Sequence, residues 1–109
     1  MSMTITVSEE MVRRLNDLSM AQTDDVETSL QRLVIAEYQR RLARYRLTDR
    51  HLSQKYGMTF QEFERQQVTK QQAYAWEVES DAMAWETARD GIQTIEQQLA
   101  GFDEFKNQH

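Results

Sequence analysis

A chain of 109 residues with 39% hydrophobic content and no cysteine has the length of one domain but less apolar material than the ~45–50% of ordinary globular chains. That excludes a disulfide framework and a thiolate zinc site, and it argues against a large core buried by one chain alone. The net charge of −5 is uneven: residues 1–47 hold seven arginines and seven acids, while residues 48–109 hold six bases and eleven acids, so the second half repels nucleic acid and suits a basic protein partner.

The fold class read from composition is mainly α. Proline is absent, glycine occurs three times, and Gln, Glu, Arg, Ala and Leu are common, which favours helices joined by short turns. No run of ~18 apolar residues and no apolar signal core is present, which predicts a soluble cytoplasmic chain with no membrane partner.

The first predicted element is a short strand. Met3, Ile5 and Val7 alternate with Thr4, Thr6 and Ser8, a period of two rich in β-branched residues. Ser8 then reads as an N-cap, with Glu9 and Glu10 in a first turn that favours acids. Met11, Val12, Leu15 and Leu18 follow at helical spacing. After a polar break, Thr23 reads as a second N-cap, with Asp24, Asp25 and Glu27 behind it. The helix it opens is predicted over about 24–45, ending in "QRRLARYR", where Arg40, Arg41, Arg44 and Arg46 suit the negative end of the dipole.

Thr48 can cap a short helix ending at Tyr56, with Gly57 as its left-handed terminator. Thr59 with Glu62 matches a capping box for another, in which Phe60 and Phe63 supply apolar contacts. The last helix is predicted over about 66–99, interrupted at Asp90-Gly91 because an interior glycine costs ~1 kcal/mol. It carries a seven-residue seam. Val78, Trp85, Ile92 and Leu99 occupy one position, and Tyr74, Asp81, Ala88, Ile95 and Phe102 the other, with Asp81 an acidic fault. The seam makes Trp85 a packing residue. Trp76, nine positions earlier, falls on the opposite face at ~100° per residue, and Met83 shares that face. Trp76 either packs back on this protein or its dimer mate, or it anchors a partner.

No catalytic constellation is visible, and the chain is read as not an enzyme. His51, beside Asp49, Arg50 and Ser53, reads as an exposed helical histidine. There is no HExxH, no CxxC, no glycine-rich phosphate loop and no calcium loop, so no cofactor and no metal are implied. Glu77 and Asp81, four apart, read as part of a solvated acidic face.

A lone strand needs a partner for its backbone groups, and none follows downstream. The economical solution is the same strand from a second chain, paired antiparallel across a two-fold axis. Strand, helix and helix over about residues 3–45 resemble the ribbon-helix-helix fold of small bacterial repressors and antitoxins. The arrangement with an acidic helical tail resembles the antitoxins of bacterial type II toxin–antitoxin pairs. "KYGMTFQEFERQ…AWEVESDAMAWE" is similar to "KYGMSFEEFE" and "WEVE" motifs of small antitoxin-like proteins. The resemblance implies a homodimer with two segments: a ribbon-helix-helix dimerisation and DNA-binding domain, 1–47, and an acidic helical partner-binding segment, 48–109. It implies that Thr4 and Thr6 face operator DNA, supported by Arg13 and Arg14, and that a basic toxin contacts Phe60, Phe63, Trp76, Met83 and Trp85 with Glu77, Glu79, Asp81 and Glu86 around them. The chain departs from the family in lacking Arg or Lys on the strand, and in placing Asp24 and Asp25 where the family clamps phosphate. Thr4 and Thr6 are equally readable as ordinary exposed strand residues, and Arg13 and Arg14 as solvated charges. A DNA-binding regulator without a toxin, and a purely structural helical adaptor, remain the alternatives.

Overall fold

A computed structural model describes residues 2–18 and 25–108, with side chains as far as residue 102 in the last helix. The described residues are mainly helical: α1 (Glu9–Asp17), α2 (Val26–Tyr56), α3 (Phe60–Arg65), α4 (Val68–Gln71) and α5 (Trp76–Gln108). They form two compact units, 1–37 and 38–109, and the division falls inside α2. No described helix is long and apolar enough to cross a membrane.

The strand predicted at Met3–Val7 is a correction. Residues 2–8 form neither strand nor helix, and no strand occurs among the described residues. Met3 and Ile5 are 88% and 64% exposed and only Val7 is half-buried, so most of the apolar side of the alternation is uncovered. The physical reason is that a strand exists only through a ladder of backbone hydrogen bonds to a neighbour. The helix start is as predicted: Ser8 caps α1, its hydroxyl accepting from Met11 N–H at 3.2 Å.

The predicted cap at Thr23 and the residue after it lie outside the described residues. Asp25 caps α2, its Oδ1 accepting from Thr28 N–H at 2.8 Å. That hydrogen bonding from Thr28 holds the Asp25 carboxyl below the usual carboxylate range. In this first unit Leu15 and Ser29 are buried, while Met11, Leu18, Leu33 and Val34 are exposed.

The break predicted before Thr48 does not form either. α2 runs unbroken for 31 residues, and the Thr48 hydroxyl donates back to Arg44 O at 3.3 Å. That is the bond a threonine makes inside a helix, in place of a cap. The true end is where Gly57 stands. Its φ of 66° places it in the left-handed region, and Met58 N–H closes a six-to-one bond to Ser53 O at 3.2 Å, the Schellman arrangement. The Ser53 hydroxyl donates to Met58 O at 2.8 Å and ties the corner.

Thr59 caps α3 as predicted, accepting from Glu62 N–H at 3.2 Å. The last helix was predicted to begin near Gln66, but a corner occupies that stretch. Gln67, Ala73 and Tyr74 all adopt left-handed backbone, with φ of 52°, 53° and 56°, and α5 starts only at Trp76. It then runs straight through Asp90-Gly91.

The second unit is built around an antiparallel pairing of α2 with α5. Tyr38 meets Phe102, Tyr45 meets Gly91, Asp49 meets Trp85, and Tyr56 meets Asp81, so one helix number rises as the other falls. Two apolar clusters lie along the seam. Leu42, Ile92 and Ile95 form one, flanked by Tyr38, Tyr45 and Leu99. Leu52, Phe63, Val68 and Trp85 form the other, flanked by Tyr56, Met58, Phe60, Val78 and Ala82. On α2 the seam residues Tyr38, Leu42, Tyr45, Asp49, Leu52 and Tyr56 alternate at spacings of four and three, the same period as on α5. α3 and α4 add Phe63 and Val68 to the cluster around Trp85.

Candidate functional site

The residues predicted to meet a partner separate into an interior set and an exposed set. Trp85 is fully buried and Phe63 is 2% exposed. Tyr56, Phe60 and Phe63 surround the Trp85 ring with centroids 6.0, 5.4 and 5.1 Å away. Aromatic pairs at such distances add ~0.5–1.5 kcal/mol each beyond area burial. Trp85 and Phe63 are therefore core, as the seam predicts for Trp85, although Phe63 also lines an open groove beside Phe60 and Val68.

Two polar residues in the seam are each answered from the other helix. Trp85 Nε1–H donates to Asp49 Oδ1 at 2.8 Å, and Arg89 reaches Asp49 Oδ2 at 3.3 Å. Asp81, the acidic fault, accepts on Oδ2 from Lys55 Nζ at 2.6 Å and from Tyr56 O–H at 2.7 Å. Lys55 also binds Glu77 Oε1 at 2.7 Å. A carboxylate on a seam is tolerated because charged donors from the facing helix meet it. Glu77 and Asp81 are thus partly neutralised by Lys55 and are not a bare acidic face.

This cluster has a pH signature. Burial pushes the Asp81 carboxyl up, but the hydrogen bonds from Lys55 and Tyr56 outweigh it and the net shift is downward. Burial, with the hydrogen bond to Asp81, pushes the Tyr56 phenol from 10.0 up to about 12. Hydrogen bonds to Asp81 and Glu77 raise Lys55. A carboxyl depressed by folding contributes stability above its unfolded value and loses it in acid. A phenol or ammonium raised by folding contributes stability below its unfolded value and loses it in alkali. The melting temperature is accordingly expected to fall as pH rises from about 10 to about 12. Tyr56→Phe should flatten part of that alkaline limb in melts followed by circular dichroism. An identical slope in both proteins would remove Tyr56 from the account.

The exposed set lies on the outer face of α5. Trp76 is 82% exposed at the first residue of the helix, and Met83 is 70% exposed seven residues on. Glu86 is exposed and Glu79 half-buried. Phe60 is half-buried and lines an open groove of about 510 Å³ with Val68, Tyr74, Ala82 and Glu86. Tyr74, placed by its seven-residue spacing on the seam, instead precedes α5 and is 58% exposed. It was missed as a surface aromatic because its spacing fitted the seam so well. At the other end of the chain, Thr4 and Thr6 are exposed. Arg13 and Arg14 are exposed too, and both turn toward Glu10, at 3.8 and 2.9 Å. Among the described residues no cluster of three His, Asp or Glu side chains is placed to hold a metal ion. Comparison with known proteins finds no matching family model, no matching curated protein and no matching solved structure.

Proposed function

We propose that this is a non-catalytic, antitoxin-like protein whose helical second unit binds and neutralises a small basic protein. The observation that carries the reading is Trp76, held 82% in solvent on a long helix with Met83 on the same face. A large exposed indole next to an adaptable methionine is the side-chain chemistry of an interface anchor. Glu79 and Glu86, near it on α5, set the sign of the partner, and the acidic excess of residues 48–109 extends that preference.

The first unit completes the reading as a dimerisation module. Met3, Ile5, Met11 and Leu18 are exposed on an isolated chain, and an antiparallel ribbon made with a second copy would give residues 3–7 the ladder that one chain lacks. In that dimer Thr4 and Thr6 face operator DNA, and Arg13 and Arg14 exchange Glu10 for phosphate.

The test is binding of the purified chain to the small basic protein encoded in a neighbouring reading frame. Trp76→Ala is expected to weaken that complex by about 2 kcal/mol or more, roughly thirtyfold in Kd. Because Trp76 is exposed, the variant should keep the helical signal of the parent. An unchanged Kd would take Trp76 out of the interface.

A further inference from the structure

The two flanks of the α2–α5 hairpin differ in the charges that border their grooves. On the Thr48–Ala84 flank, grooves of about 330 and 300 Å³ are bordered by Arg44, His51 and Asp81, and Asp81 is already held by Lys55. The Ala82 flank carries the larger groove, of about 510 Å³, a size within the ~300–1,000 Å³ of ligand clefts. Phe63 and Val68 are its buried apolar lining, and Phe60 and the 58%-exposed Tyr74 add rings. Glu64 and Glu86 also line it and are exposed. Among the described residues neither forms an ion pair. Glu79 and Asp90, seven residues before Glu86 and four after it, share its face of α5 and continue the line of acids. Among the described residues Lys70 is the one base that lines this groove.

A groove that combines aromatic rings with free carboxylates suits one kind of side chain. A guanidinium stacks on an aromatic face and offers a carboxylate two parallel N–H donors, whereas an ammonium is a point charge that does neither as well. The Tyr74 ring is set at the groove by the corner before α5. Ala73 and Tyr74 both hold left-handed backbone, with φ of 53° and 56°. Two bonds back to α4 fix them: Tyr74 N–H donates to Thr69 O at 2.9 Å, and Ala73 N–H to Lys70 O at 3.0 Å. A wall fixed before binding lowers the ordering cost of binding. We infer that the groove bordered by Glu64 and Glu86 binds an arginine of the partner, with Phe63 and Val68 receiving the apolar residue beside it. The source of that arginine, a basic protein, rests on the proposed function. Trp76 does not line the groove.

The probe is a fluorescein-labelled peptide of alternating leucine and arginine, titrated with the full-length chain and followed by anisotropy. It reads the groove without the partner protein, so a failure here is distinct from a failure of the Trp76 test. The peptide should bind more tightly than its leucine–lysine counterpart, and the leucine–glutamate counterpart should not bind. Glu64→Gln and Glu86→Gln should each weaken binding about threefold, the scale of one exposed ion pair, and Tyr74→Ala at least as much. Lys70→Gln removes a competing charge and should tighten binding by about the same threefold factor. All four residues are exposed, so the variants should keep the helical signal of the parent. Asp17→Asn, at an exposed acid on α1, should change nothing. Weaker binding by Lys70→Gln would mean that the groove receives an acidic residue and would overturn the proposal. So would equal losses for Asp17→Asn and Glu86→Gln, since the peptide would then answer to net charge alone. Equal affinity for the arginine and lysine peptides would overturn the choice of arginine.

Discussion

Trp85→Ala should cost about 3–5 kcal/mol, the usual range for truncating a large aromatic in a core, and should leave the second unit largely unfolded at ordinary temperature. Trp85 is the one described side chain of the core with no exposed area. It joins α2 through Leu52 and Tyr56, α3 through Phe63 and the corner through Val68. It also spends its only polar atom on Asp49, so removal leaves that half-buried carboxylate without its indole donor. The two contributions can be separated. Trp85→Phe keeps most of the aromatic volume and loses the N–H, and it should fall between parent and alanine variant in urea unfolding. A Trp85→Ala protein as stable as the parent would mean that the clusters are not organised around this ring.

Gly91 gives the second large effect, and its sign depends on a neighbour. A Cβ placed on Gly91 would lie 2.4 Å from Tyr45 Cε2 and 2.6 Å from Cδ2. Alanine is otherwise worth ~1 kcal/mol more than glycine inside a helix. The clash reverses that advantage, because the Tyr45 ring is packed against Leu42, Ile92 and Ile95 and must move to make room. Gly91→Ala is expected to destabilise by about 1–3 kcal/mol, as overpacking does. In a Tyr45→Ala background the same substitution should stabilise by ~1 kcal/mol, the helix preference alone. A double-mutant cycle by urea unfolding reads this directly. The same sign in both backgrounds would show that the ring does not set the preference for glycine.

Much of the second unit was legible in the sequence for a simple reason. The spacing of Val78, Asp81, Trp85, Ala88, Ile92 and Ile95 has one physical meaning, a helix face that packs. The caps at Ser8 and Thr59 and the terminator at Gly57 were legible because each supplies a specific atom or backbone conformation to a helix end. What failed was punctuation that depends on tertiary context. Thr48 has the chemistry of a cap, but Tyr45, Asp49 and Leu52 on either side of it are held to α5, and the helix continues. Gly91 has the chemistry of a break, but it marks a close approach. The corner at 66–75 carried no signal at all, since Gln67, Ala73 and Tyr74 are residues that seldom adopt positive φ.

The candidate interface was legible only in part. That Trp76 and Trp85 do different work follows from their separation along one helix. That Lys55 and Tyr56 would reach across to Asp81 does not, because it requires α2 to extend eleven residues beyond its predicted end at Tyr45. The N-terminal alternation was read correctly as a pattern. A pattern, however, does not provide the neighbouring backbone that makes it a strand.

The antiparallel course of α2 and α5 also orders their assembly in time. The contacts at the corner join residues 25 apart, Tyr56 to Asp81, whereas Tyr38 and Phe102 close a far longer loop at the other end. Loop closure grows with the logarithm of length, and the difference between these two ends is about 0.8 kcal/mol of chain entropy. The corner is therefore the less costly place for the first turns of the two helices to meet. Once Tyr56 and Asp81 are joined, each further step toward Tyr38 adds only the few residues between successive seam positions. The polar residues that look like flaws in the seam thus stand at the end where the hairpin begins to zip.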